Sequence, residues 1–175
     1  MVGKLNHRGF SLAETLVTVF IFSLLAAGLW AITLAGERSW QANRTKVELQ
    51  QDMRKAMEAM INELREAGPA SISNVPANNT AYTTITFQIP SGVSFGQVTW
   101  DPNSIQYVLG GSPATQLRRV SGGTTKVLAN NVQSLQFQRF SADPERMLVT
   151  MQGQKNTVKG DAVGYNLAFE IQLRN

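Results

Sequence analysis

The chain has 175 residues, 43% hydrophobic and 16% charged, with a formal net charge of +4. That length allows one folded domain beside an anchoring segment, and the lack of Cys excludes a disulfide framework and any thiolate metal site. If an N-terminal leader carrying Lys4 and Arg8 is removed, 14 basic residues face 12 acidic ones, and a balance of +2 argues against nucleic acid as a partner.

In chain order, the first nine residues are short and basic, with Lys4, His7 and Arg8, and have no fold of their own. From Thr15 to Gly36 there are 22 residues without Lys, Arg, Asp, Glu or His. As a helix this run is about 33 Å long, enough to cross a hydrocarbon core of about 30 Å. The basic residues before it predict a cytoplasmic N-terminus and a single pass through an inner membrane, with lipid as the first partner. Glu14 stands at the head of this apolar run. An acid well inside a bilayer costs about 2.5–3.5 kcal/mol on insertion scales, so it marks a functional position.

The stretch Arg8-Gly9-Phe10-Ser11-Leu12-Ala13-Glu14 resembles the class III leader of type IV pilins and pseudopilins. The resemblance implies cleavage between Gly9 and Phe10 by prepilin peptidase, followed by N-methylation of Phe10. It also implies that Glu14 pairs with the N-terminal amine of a neighbouring subunit. The physics is compatible: two opposite charges, each costly in lipid, become tolerable when packed together between helices. Two other readings compete. An ordinary signal peptide cut near Ala26-Ala27-Gly28 would leave Glu14 without purpose and has a long apolar region; a plain anchor would make the Gly-Phe and Glu positions coincidental.

At Glu37 the composition turns polar while the helical pattern continues, and Trp40 suits the headgroup level. Residues 37–67 are rich in Gln, Glu, Arg, Lys, Met and Ala, all good helix formers. Val47, Met53, Met57, Met60, Ile61 and Leu64 form one apolar stripe, which reads as a core face rather than a binding groove. Gly68-Pro69 is expected to stop the helix, with Gly68 as a left-handed cap. The family often carries a Pro where this chain has Ala31, which leaves Gly28 and Gly36 as the weaker points of the helix.

Strand signals fill the rest. Residues 70–81 read as a loop, followed by a strand at Tyr82–Ile89, a turn at Pro90-Ser91-Gly92 and a strand at Val93–Trp100. Further strands are expected at Ser104–Leu109, Gln116–Val120, Lys126–Leu128, Val132–Phe140 and Met147–Met151, with a hairpin turn at Ser121-Gly122-Gly123. Tyr165, Leu167, Phe169, Ile171 and Leu173 alternate with polar or small residues, predicting a half-buried strand with these five facing the core. A helix followed by meandering strands is α+β with an antiparallel sheet. The expected organisation is a leader at 1–9, a membrane half of the helix at 10–36, an amphipathic half at 37–67 and a periplasmic β-rich head at 68–175.

Head segments add to the resemblance. Gln116-Leu117-Arg118-Arg119, then Leu128 to Phe137, then Ile171-Gln172-Leu173-Arg174-Asn175 resemble the J-type pseudopilins of type II secretion (GspJ) and the PilW minor pilins. The resemblance implies a minor subunit of a secretion pseudopilus or a type IV pilus, with other minor and major pilins or pseudopilins as partners, and a secreted substrate as a further partner. No catalytic, cofactor or metal site is expected: His7 is the only His, and no Gly-rich phosphate loop occurs. Asp143-Pro144-Glu145 is a thin basis for Ca²⁺. Arg118, Arg119 and Lys126 read as a solvated hairpin; a DNA-binding competence pilin, the rival from another class, would use them as a basic face.

Overall fold

A computed structural model describes residues 11–174. The leader with Gly9, the following Phe10 and the terminal Asn175 lie outside the described residues. The chain divides into a unit ending at Gln41 and a unit beginning at Ala42, and one helix, α1 (Leu12–Glu66), contributes to both.

In the first unit, α1 stays helical through Gly28, Ala31 and Gly36. Its first turn is capped by Ser11, whose Oγ accepts the Glu14 amide at 3.2 Å while its carbonyl accepts the Thr15 amide at 3.1 Å. Ser11 with Glu14 three residues on is the sequence pattern of a capping box, and half of its reciprocal pair is formed here.

In the second unit, α1 buries Leu49, Met53, Ala56, Met57, Met60, Ile61 and Leu64. Val47, assigned to this stripe from sequence, is 49% exposed, and Leu49 takes the inward position instead. The three methionines are fully buried, as a core face requires. The helix ends at Glu66, and a single 3-10 turn follows at Pro69–Ser71. Gly68 is not the left-handed cap expected: its φ is −82° and its ψ is 154°. Space explains the glycine, since a Cβ there would lie 2.8 Å from the ring of Trp100. The backbone amide of Arg174 donates to the carbonyl of Ala67 at 3.3 Å, so the C-terminal segment closes this end of the helix.

The strands are β1 (Ala81–Tyr82), β2 (Ile85–Phe87), β3 (Pro90–Ser94), β4 (Gln97–Trp100), β5 (Ile105–Gly110), β6 (Gln116–Ser121), β7 (Thr124–Ala129), β8 (Val132–Arg139), β9 (Arg146–Asn156) and β10 (Ala162–Gln172). All pair antiparallel, but in two four-stranded sheets and a two-stranded ribbon rather than one sheet. The orders are β1-β8-β9-β10, β2-β5-β6-β7 and β3-β4. The expected strand Tyr82–Ile89 is split: β1 pairs with β8 and β2 with β5, so the chain changes sheets within it. The expected strand Val93–Trp100 is instead a hairpin arm and part of its mate. Its turn lies at Phe95-Gly96 (φ 52° and 79°), and Pro90-Ser91-Gly92 belongs to β3. Phe95 at positive φ is an outlier for a bulky residue, which left Gly96, isolated within an apolar stretch, as the signal for this turn. The Gly122-Gly123 turn falls where predicted, with both φ values positive (55° and 77°) as a two-residue hairpin demands.

β9 is longer than expected because polar Gln152 to Lys155 conceal it. At Gly153 a Cβ would collide with Met53 and Leu49 of α1. Both four-stranded sheets and α1 share one core. Across β8, β9 and β10 the register aligns Leu135, Met151 and Leu167 in one row and Phe137, Val149 and Phe169 in the next. Phe137 and Val149 are fully buried, whereas Phe169 is 42% exposed. The face assigned to β10 is right, but Phe169 is not core: β10 is an edge strand with no further strand beside it among the described residues.

Candidate functional site

The first candidate site is the start of α1. Along the charge-free run, Leu16, Phe20, Phe22, Leu25, Leu29 and Trp30 are all more than 60% exposed, and the most apolar window of 18 residues is wholly unburied. By length and composition this part of the helix can cross a membrane. Its four hydroxyl side chains are turned back onto the helix: Thr15 donates to the carbonyl of Ser11, Thr18 to Glu14, Ser23 to Phe20 and Thr33 to Leu29, at 2.7–3.2 Å. In an environment without water these bonds leave none of the four hydroxyl donors unmet. Glu14 is the exception. It lies exposed in the first turn, where the helix dipole favours an anion, and its carboxylate meets no cation among the described residues.

Within the second unit, the structure brings together groups that are far apart in sequence. Glu63 on α1 accepts from Arg119 Nε through both carboxylate oxygens at 2.9 Å, and the buried Tyr107 hydroxyl donates to its Oε2 at 2.6 Å. Burial, reinforced by the Glu63 carboxylate, pushes the Tyr107 phenol well above its ordinary range; the hydrogen bond to Glu63 raises Arg119. This clamp ties α1 to the sheet of β5 and β6, and it consumes one of the three cations considered for a basic face. Arg118 keeps its charge, with its guanidinium on the neutral Gln116 side-chain oxygen at 2.7 Å, but it lies on the opposite face of the hairpin from Arg119 and Lys126, which are cross-strand partners. The fold therefore gathers no basic face from these three residues.

The turn considered for Ca²⁺ is likewise engaged elsewhere. Asp143 lies 3.8 Å from Arg146, Glu145 accepts from Gln172 at 3.2 Å, and Arg146 also pairs with Glu170 and lies over the Phe140 ring. Among the described residues no three His, Cys, Asp or Glu side chains converge. On α1, Glu48 is held between Lys155 (3.0 Å) and Arg44 (3.1 Å), which lower its carboxyl below the usual range, Lys155 most.

Arg139 is a residue that sequence reasoning missed. Its buried guanidinium donates to the carbonyls of Val75 and Pro144, and burial lowers its pKa. The β3-β4 ribbon was also missed: Val93, Phe95 and Val98 are exposed, and Phe95 at its tip is fully so. No residue from Ala67 to Trp100 is charged, which was the available signal. For the Glu63 clamp no sequence signal exists, since its members are 44 and 56 residues apart.

Comparison with known families bears on the first of these sites. Residues 4–30 match the family model described as the prokaryotic N-terminal methylation motif. The match spans Gly9, Phe10 and Glu14 and leaves the β-rich unit untouched. No curated protein matches the chain. The motif supports a type IV pilin-like protein, and it implies processing by prepilin peptidase and assembly with other pilins. It is also consistent with a single-pass membrane anchor.

Proposed function

We propose that the chain is a minor pilin or pseudopilin subunit. The observation that carries this reading is the methylation motif placed directly before an unburied, charge-free helix with a lone carboxylate in its first turn. In this reading the peptidase cuts between Gly9 and Phe10, Phe10 is N-methylated, and the new amine meets Glu14 of a neighbour. The helix rests in the inner membrane with the head in the periplasm, then exchanges lipid for neighbouring helices as a filament forms. The subunit works by assembly rather than catalysis, priming or entering a type II secretion pseudopilus or a type IV pilus. The short head segments quoted above favour a J-type or PilW-type place. A DNA-binding competence role is disfavoured, because Glu63 offsets the charge of Arg119, and Arg118 lies on the opposite face of β6 from Arg119 and Lys126.

The test is the mass of the mature protein. N-methyl-Phe10 at the new terminus is expected, and Gly9→Leu should leave a full-length membrane precursor. Cleavage after Ala26 or beyond would refute the reading.

A further inference from the structure

We propose that the outer edge of β10 is a strand-addition site for an extended segment of a partner protein whose side chains alternate apolar and polar. Natural sheets blunt their edges, and the other edges here are blunted. β1 has two residues. The β2 edge is closed by the loop before it, where Ser73 donates to the Thr86 carbonyl and the Thr86 amide donates to Asn74 Oδ1 at 2.7 Å. β7 carries Lys126 and pairs with β6 through a register shift. The ribbon strands are short, and β3 holds Pro90 and a shift of its own.

β10 has none of these devices. It runs for 11 residues, pairs with β9 without a register shift, and contains no Pro, Lys or Arg. Its single charge, Glu170, is tied to Arg146. Among the described residues no group bonds to its outward amides and carbonyls.

The side chains point to the same occupant. The row Phe137, Val149, Phe169 passes from fully buried to 42% exposed at the edge, so it lacks its next member. Beside it a groove of 540 Å³ has Leu167, Phe169 and Ile61 as apolar lining, with Arg54, Glu58 and Arg65 around them. A strand laid against β10 would place alternate apolar side chains over this lining and its other side chains in solvent, while its backbone completes the ladder. An amphipathic helix could fill the groove but could not satisfy the edge. The inference does not depend on how the N-terminus is processed.

The experiment uses the full chain in lipid nanodiscs and a fluorescent 11-residue peptide with the sequence of β9, Arg146–Asn156, which already pairs with β10 on its inner edge. A second peptide carries the same side chains with alternate backbone amides N-methylated. Anisotropy should show the first peptide binding, and hydrogen exchange should show new protection in the outward-facing β10 amides, those not bonded to β9. The methylated peptide, and the variant Phe169→Lys with the first peptide, should each bind about tenfold more weakly or worse. Equal binding of both peptides would mean an apolar groove alone and overturn the proposal. So would an absence of binding, or outward-facing β10 amides already protected in a self-associated chain without peptide.

Discussion

Removing the Glu63 carboxylate tests how the helix is fastened to the β5-β6 sheet. Tyr107 is fully buried, and its hydroxyl has Glu63 as its acceptor. In Glu63→Ala that hydroxyl is left unmet, which costs about 1–3 kcal/mol. The Glu63 and Arg119 side chains retain 30% and 27% exposure, so solvent screens their ion pair and it adds no more than about 1 kcal/mol. The expected total is about 1–4 kcal/mol. Glu63→Gln keeps an acceptor for Tyr107 and should lose about 1 kcal/mol or less. In Tyr107→Phe the hydroxyl is gone, so adding Glu63→Ala to that background should cost clearly less than it does alone. The assay is urea unfolding of a fragment from Glu37 to Asn175, which should be soluble and fold cooperatively. The same bond gives a pH signature. A phenol whose folded pKa is raised stabilises the fold fully below its unfolded value of about 10, and this contribution declines as pH rises above that. Wild type should therefore lose stability above about pH 10 through a component that Tyr107→Phe lacks. Strict additivity of the two substitutions, or a Glu63→Ala cost under about 0.5 kcal/mol, would refute the clamp.

Phe169→Ala should cost only about 1 kcal/mol because the ring is already part-exposed, against about 3–5 kcal/mol for Phe137→Ala in the same row; equal costs would mean that β10 is covered in solution. Gly153→Ala should cost about 1–3 kcal/mol by forcing Met53 and Leu49 off β9, read from the same unfolding curves. The Glu48 carboxyl, lowered mainly by Lys155, supplies stability above its unfolded pKa that is lost as pH falls through its folded value; Lys155→Met should flatten that acid limb. Glu14→Leu should leave membrane insertion and leader cleavage intact while co-purification with partner subunits falls; unchanged assembly would remove Glu14 from the contact.

The sequence by itself determined the features that rest on local pattern. A charge-free run of 22 residues marks a membrane-length helix by its length and composition, while a Met stripe at helical spacing and alternation in β10 each state a period that dictates the element and its inward face. The Gly122-Gly123 turn was legible because the backbone there needs positive φ, whereas the Ser11 cap on the Glu14 amide emerged only with the structure. Tertiary structure decided what depends on neighbours. Alternation in Tyr82–Ile89 could not reveal that its two ends join different sheets, and the pattern of β10 could not say that it is an edge. Phe169 has the right face and still lacks a cover, because burial is set by the next strand and not by its own sequence. Glu63, Tyr107 and Arg119 meet only once helix and sheet have packed. Gly68 makes the same point: a glycine that reads as a helix cap is there because Trp100, far along the chain, occupies the space its side chain would need.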